Sequence, residues 1–146
     1  MQVNPNIIVT GSTSGIGLAT VRNLAKRTDK AYNLFVTSRK LANAEAAIVK
    51  LAEEIPDTNS TFTALELDLS RKESVDAFLA GLVASGTKID ILVNNAGICL
   101  FDEARESKEK LLLQWNVNYA HTKYLTEQFL EKDLITKSGK IINVST

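Results

Sequence analysis

Cysteine is nearly missing from this chain: Cys99 stands alone among 146 residues, so no internal disulfide is available and a reducing compartment is expected. With no activating partner evident beside it, Cys99 reads as a packed thiol rather than a nucleophile. Surplus charge is missing too. Seventeen basic residues balance 17 acidic ones, which points neither to nucleic acid nor to an anionic membrane surface as a partner. No apolar run approaches the ~20 residues of a membrane span. Met1-Gln2-Val3-Asn4-Pro5 has neither the basic nor the apolar region of a secretory leader, so a cytoplasmic protein is expected. Histidine occurs once, as His121, which reads as a packing or surface residue, and no metal site is expected. Internal repeats, low-complexity tracts and linkers are also lacking. What remains is a chain with 45% hydrophobic content, enough for one domain with a real core.

The most informative stretch present is Thr10-Gly11-Ser12-Thr13-Ser14-Gly15-Ile16-Gly17. It follows Ile7-Ile8-Val9, a short uninterrupted apolar run suited to a buried parallel strand. It leads into a helical pattern carrying Ile16, Ala19, Thr20, Leu24 and Arg27, with Leu18, Val21 and Ala25 widening the apolar face. A glycine-rich bend entering a helix N-terminus offers free backbone N–H groups and the positive end of the helix dipole to a pyrophosphate. The glycines turn the chain, admit phosphate to the backbone and pack helix close to strand.

Strand-like and helix-like segments alternate onward. Asn33 to Thr37 reads as a strand, Leu41 to Ile55 as a helix stopped by Pro56 with Ala44, Ile48, Leu51 and Ile55 as its stripe, and Thr61 to Leu67 as a third strand. Ser70, with Glu73 three residues later, suggests a capping box for a helix carrying Val75, Phe78, Leu79 and Leu82 and ended by Gly86. Ile89 to Val93 is a fourth strand, Lys108 to Glu131 a long helix, and Ile141 to Val144 a fifth strand. Five strands alternating with helices imply an open, doubly wound parallel α/β sheet, whose ligands bind beyond the carboxyl ends of the strands.

Those ends carry the next candidates. Strand two runs into Ser38-Arg39-Lys40, where an NAD site usually places a carboxylate for the ribose hydroxyls. None is present in that segment. Arg39 instead offers a bidentate partner for a 2′-phosphate, so NADP(H) is expected in preference to NAD(H). Strand three runs into Asp68-Leu69, and Asp68 also suits the start of the following helix. Strand four runs into Asn94-Asn95-Ala96-Gly97, whose small residues let the chain pass close to a ribose while an asparagine side chain bonds neighbouring backbone.

Thr-Gly-x-x-x-Gly-Ile-Gly together with Asn-Asn-Ala-Gly resembles the short-chain dehydrogenase/reductase family, and the flow of residues is most similar to its carbonyl reductase branch. The resemblance implies a Rossmann-like sheet over residues 1–146 as a single NAD(P)-binding domain, in which Gly11, Ser12, Ser14, Gly15, Ile16, Gly17, Arg39, Asp68, Leu69, Asn95, Ala96 and Gly97 hold the dinucleotide. Asp68 would accept from the adenine amino group. The family works with Asn, Ser, Tyr and Lys on a carbonyl or alcohol substrate. Asn118 in Val117-Asn118-Tyr119 matches its asparagine, and Asn143-Val144-Ser145-Thr146 resembles its Asn-Val-Ser-Ser. Ser145 and Thr146 are thus the hydroxyl candidates, with Thr146 standing where the family's catalytic serine usually is. The family's Tyr-x-x-x-Lys lies downstream of that serine, so the chain is expected to be a sheet truncated after strand five. Tyr119-Ala120-His121-Thr122-Lys123 spells the same pattern on the wrong helix and reads as a coincidence. Such a chain is expected to be marginal alone, or completed by a partner or a second copy along strand five. A non-catalytic dinucleotide-binding module remains the alternative reading.

Overall fold

In the computed structural model, which describes residues 3–100 and 107–145, β1 (Asn6–Val9) lies at the centre of the sheet and is covered on both faces. Its side chains alternate between faces, so Ile7 and Val9 enter one half of the core and Ile8 the other. Among the described residues β1 is joined by β2 (Asn33–Ser38), β3 (Thr61–Glu66), β4 (Ile89–Asn94) and β5 (Ile135–Asn143), all parallel, in the order β3-β2-β1-β4-β5.

The chain moves outward from β1 to β3, returns to β4 and leaves in the other direction, which divides the helices between two faces. On one face α1 (Gly15–Ala25) and α2 (Leu41–Glu54) bury Val21, Ala25, Ala44, Ala47 and Leu51 against Leu34 and Val36. On the other, α3 (Lys72–Ser85) and α5 (His121–Glu131) bury Val75, Phe78, Leu79, Leu82, Leu125 and Phe129 against Ile8, Ile89 and Leu92. The reversal falls between β1 and β4, where Val9 is paired with Val93. A crevice therefore opens beyond the carboxyl ends of these two strands, and Thr10 and Asn94 stand at its mouth.

Several local expectations are corrected. The helix expected over 108–131 is α4 (Lys108–Trp115), a π-helical turn (Asn116–Ala120) and then α5. The wider turn is visible in Thr122, whose hydroxyl donates to the carbonyl of Val117 five residues back at 2.9 Å. The buried line of α1 is Gly17, Val21 and Ala25, while Ile16 is 60% exposed, because the helix turns its glycine towards the loop that precedes it. On α2 the buried line is Ala44, Ala47 and Leu51. No capping box starts α3. Arg71 is its N-cap and gives no side-chain capping bond, while the Ser70 hydroxyl donates to Asp68 instead. Gly86 does end α3, in the left-handed region at φ 66°. Strand β5 begins at Ile135 and ends at Asn143, one residue short of the expected Ile141–Val144 strand, and its pairing steps from Ile89–Ile135 to Ile91–Lys140, so an excursion precedes that stretch. Cys99 is exposed rather than packed, in the irregular chain that runs on beyond the end of β4.

Candidate functional site

The loop between β1 and α1 is built around Thr10, which is buried. Its backbone N–H donates to Val93 at 3.0 Å, and its hydroxyl oxygen accepts the N–H groups of Asn95 (3.0 Å) and Ala96 (2.9 Å). Asn95 answers in the other direction: its side-chain amide donates to the carbonyls of Thr10 (3.1 Å) and Gly11 (3.2 Å). The two turns at the switch point thus satisfy each other's backbone groups, where neither has a sheet neighbour left. Gly11, at φ 62°, lies against Ala96, with a hypothetical Cβ only 3.0 Å from its Cα and Cβ. Gly17 is tighter still, since a Cβ there would be 2.4 Å from the Gly11 carbonyl oxygen and 2.5 Å from the Asn95 amide nitrogen.

Thr37 ties the same loop to β2. Its hydroxyl accepts from the Gly11 N–H at 3.1 Å and donates to the Val9 carbonyl, while its own N–H donates to the Ser12 hydroxyl at 2.9 Å. Ser12 is fully buried, and its backbone N–H donates to the Thr37 carbonyl at 3.1 Å, so the residue shapes the loop from within. Ser14 is the extended N-cap of α1, and its carbonyl accepts the first helical bond, from Leu18 at 3.1 Å. The N–H groups of Gly15, Ile16 and Gly17 precede that bond and have no acceptor inside the helix. Gly15, at φ 54°, has open space where a Cβ would stand, and Ser14, Gly15 and Ile16 are all exposed. This is a cradle that fits a pyrophosphate: donors converge, the helix dipole adds positive potential, and no side chain fills the space.

At the ends of β2 and β3, Arg39 is exposed and in no ion pair with any described residue. Beside it is a group that sequence reasoning missed. The Glu66 carboxylate, opposite Ser38 in the register, accepts from the Leu41 N–H at 3.1 Å and caps α2. Asp68 accepts both the N–H (2.9 Å) and the hydroxyl (2.6 Å) of Ser70 on one oxygen, and a long contact from Arg71 at 3.4 Å on the other. Partial burial opposes its charge, but the Ser70 bonds and the Arg71 guanidinium outweigh that and hold the carboxyl below its usual range. Leu69 is buried in the core. Its carbonyl lies 2.7 Å from Nδ1 of His121, and because a carbonyl only accepts, Nδ1 carries the proton in that contact. His121 is a packing residue that fastens the Asp68-Leu69 turn to α5.

At the far end of the crevice, Asn118 sits inside the π-helical turn and clamps the backbone of Ile98, accepting from its N–H and donating to its carbonyl, both at 2.8 Å. Gly97 lies beside it, with a Cβ position 3.4 Å from the Asn118 oxygen. Asn94 is buried and its amide nitrogen donates to Thr126 and Asn143, at 2.9 Å each, joining β4 to α5 and β5. Ser145 is exposed and shares a cavity of about 420 Å³ with Asn94, Ala96, Asn118, Thr122 and Asn143. Thr146 lies outside the described residues. Tyr119 and Lys123 line the same cavity, but the Tyr119 ring rests on Trp115 at 4.6 Å and the Lys123 ammonium pairs with Glu127. Asn118, Ser145 and Ala96 thus line one cavity, with Gly97 beside Asn118, and Gly11 and Gly17 pack on Ala96 and Asn95 at the reversal point, while Arg39 and Asp68 follow β2 and β3 on the other side of β1. Of the groups missed in the sequence, Thr10 was signalled by its place in the glycine motif. Glu66 carried no signal, because the strand register alone brings it to α2.

No helix among the described residues is long and apolar enough to cross a membrane, and no cluster of histidine, cysteine or carboxylates there is able to hold a metal ion. Human retinol dehydrogenase 12 is 30% identical over 142 residues, covering 96% of this chain and 42% of that protein. A short-chain dehydrogenase/reductase of Talaromyces stipitatus is 26% identical over 140 residues, covering 96% of this chain and 52% of its own length. The chain spans about half the length of these relatives. Among solved structures, landomycin C-6 ketoreductase LanV with bound NADP and rabelomycin superposes with a TM-score of 0.79 at 26% identity, covering 97% of this chain and 58% of that one. The family model for short chain dehydrogenases matches residues 5–146, which includes both turns of the switch point, and the chain belongs to that family.

Proposed function

We propose that residues 1–146 form the NADP(H)-binding part of an oxidoreductase that moves a hydride between the nicotinamide and a small carbonyl or alcohol substrate. The observation that carries this reading is the cradle of Gly15, Ile16 and Gly17 N–H groups at the sheet's reversal point, with an exposed arginine at the end of the next strand that forms no ion pair with any described residue. The bound NADP of LanV, a structure sharing the same sheet, supports it. When bound, the dinucleotide supplies or accepts the hydride. This chain's residues bind and orient it. Gly11 to Gly17 hold the pyrophosphate, with Ser12 keeping the loop in shape and Ser14 setting the start of α1. Arg39 takes the 2′-phosphate through paired guanidinium donors. Asp68 and the Leu69 backbone face the adenine, and Asn95, Ala96 and Gly97 let the ribose lie close to β4. Asn118 holds the Ile98 backbone and a place for a proton-relay water, while Ser145 and Thr146 supply the hydroxyl that polarises the substrate oxygen. Strand β5 is one of the two sheet edges among the described residues, with Ile142 exposed on it and Val144 exposed just after it, and further chain or a second copy would pair there.

Calorimetric titration of the protein and of its Arg39→Ala variant with NADPH and NADH tests this. NADPH should bind more tightly, and the variant should lose about tenfold or more of that affinity while NADH binding stays unchanged, as loss of a charge-assisted pair worth ~1.5–3 kcal/mol implies. Equal binding of both nucleotides by both proteins would refute the role of Arg39. Binding without turnover of simple ketones would favour a non-catalytic dinucleotide module.

A further inference from the structure

We infer that Glu66 is a specificity-determining residue for the nucleotide, a carboxylate delivered from β3 that opposes a 2′-phosphate and compresses the preference for NADP(H) over NAD(H). The inference rests on the nucleotide reading above. Read along the chain, the segment after β2 is purely basic, Arg39 followed by Lys40. Parallel pairing changes that. Ser38 is opposite Glu66 across the last rung between β2 and β3, and Glu66 reaches over to accept the N–H of Leu41 at 3.1 Å. Leu41 is the first residue of a 14-residue helix whose N-cap, Lys40, has no side-chain acceptor to offer. The carboxylate fills the position at which the helix dipole most favours an anion.

The neighbouring cations leave it unneutralised. Among the described residues neither Arg39 nor Lys40 forms an ion pair with Glu66, and Arg71 is engaged with Asp68. The backbones of Arg39 and Leu41 are two residues apart, at most about 7 Å along the chain, so Glu66 stands near the base of the Arg39 side chain, at a range where surface charges are only partly screened at physiological salt. A 2′-phosphate gripped by Arg39 therefore meets a fixed negative charge that also occupies the helix terminus. A 2′-hydroxyl meets the same carboxylate as a hydrogen-bond acceptor, the chemistry by which a carboxylate serves an NAD site. One residue thus weakens the phosphorylated nucleotide and assists the other.

Glu66→Gln tests this cleanly, because the amide oxygen still accepts from Leu41 while the charge is gone. Titrations of the protein and variant with NADPH, NADH, 2′,5′-ADP and 5′-AMP read the effect, the last two isolating the adenosine half. NADPH and 2′,5′-ADP should bind about two- to fivefold more tightly to the variant, the range for a partly screened charge at a helix end. NADH and 5′-AMP should bind equally or more weakly, and the gain should shrink as salt is raised. Glu66→Ala, which also loses the cap, should melt lower than Glu66→Gln yet shift the nucleotide ratio in the same direction. A ratio unchanged in both variants overturns the inference, as does equal weakening of all four ligands, which a purely structural role would produce. If the unaltered protein binds none of the four, the nucleotide reading itself fails.

Discussion

Replacing Gly17 with alanine would place a methyl group 2.4 Å from the Gly11 carbonyl oxygen, 2.5 Å from the Asn95 amide nitrogen and 3.0 Å from the Ser12 Cα. Two of those neighbours are backbone, and the third holds the carbonyls of Thr10 and Gly11, so none swings aside freely. To reach ordinary contact, α1 has to recede from the loop by about 1 Å. Overpacking of this kind costs ~1–3 kcal/mol, and each Asn95 bond lost adds ~0.5–1.5 kcal/mol. Against that, alanine gains ~1 kcal/mol of helix propensity over glycine. The net expectation is a loss of about 2 kcal/mol and a fall in Tm of about 8 °C for a chain of this size. Gly81 in α3 supplies the control, since a Cβ there meets nothing within 4 Å and only the propensity gain remains. Gly81→Ala should therefore raise Tm by about 2–4 °C. Thermal unfolding followed by circular dichroism decides the matter. If the two variants melt together, the close packing of α1 on the glycine loop is not what this position demands.

Thr10→Val keeps the shape of a buried side chain and removes the acceptor for the Asn95 and Ala96 N–H groups, so it should cost about 2–4 kcal/mol in urea unfolding, with Thr10→Ser recovering most of it. Equal losses in both variants would show that the methyl group, not the hydroxyl, matters there. The folded-state pKa of Asp68 is depressed, so its carboxylate contributes stability above the unfolded value of about 3.9, and that contribution is lost as pH falls through the lower folded value. The stability gap between the protein and Asp68→Asn should thus be fully present at neutral pH and close below about pH 4. A gap that persists unchanged into acid would mean the Ser70 and Arg71 contacts do not favour the charged form.

Much of the fold is legible in short-range pattern. Ile7-Ile8-Val9 reads as a strand buried on both faces because three consecutive apolar residues must point both ways, and that is its place in the sheet. Val75, Phe78, Leu79 and Leu82 are buried as their spacing predicts, because helical periodicity depends on residues three and four apart. The glycine loop and the Asn-Asn-Ala-Gly turn are equally local, since each must bring particular residue types to one bend. Capping was less legible: Asp68 competes for Ser70, and the choice depends on whether the chain leaves β3 at an angle that brings the carboxylate within reach.

The sequence by itself thus determined the alternation of strands and helices, the two turns at the reversal point and the basic residue after β2. Tertiary structure decided which groups those turns hold. Thr10 binds the backbone of Asn95 and Ala96 across 85 and 86 positions, Ser12 is buried under β2, and Glu66 caps a helix that begins 25 residues earlier. Asn118 clamps Ile98 from within a π-helical turn, an irregularity with no glycine or proline to announce it. The physical reason is the same in each case. Periodicity and turn chemistry are written within a few residues, whereas the register of parallel strands is set by how whole faces bury, and it alone brings a distant side chain within hydrogen-bonding reach.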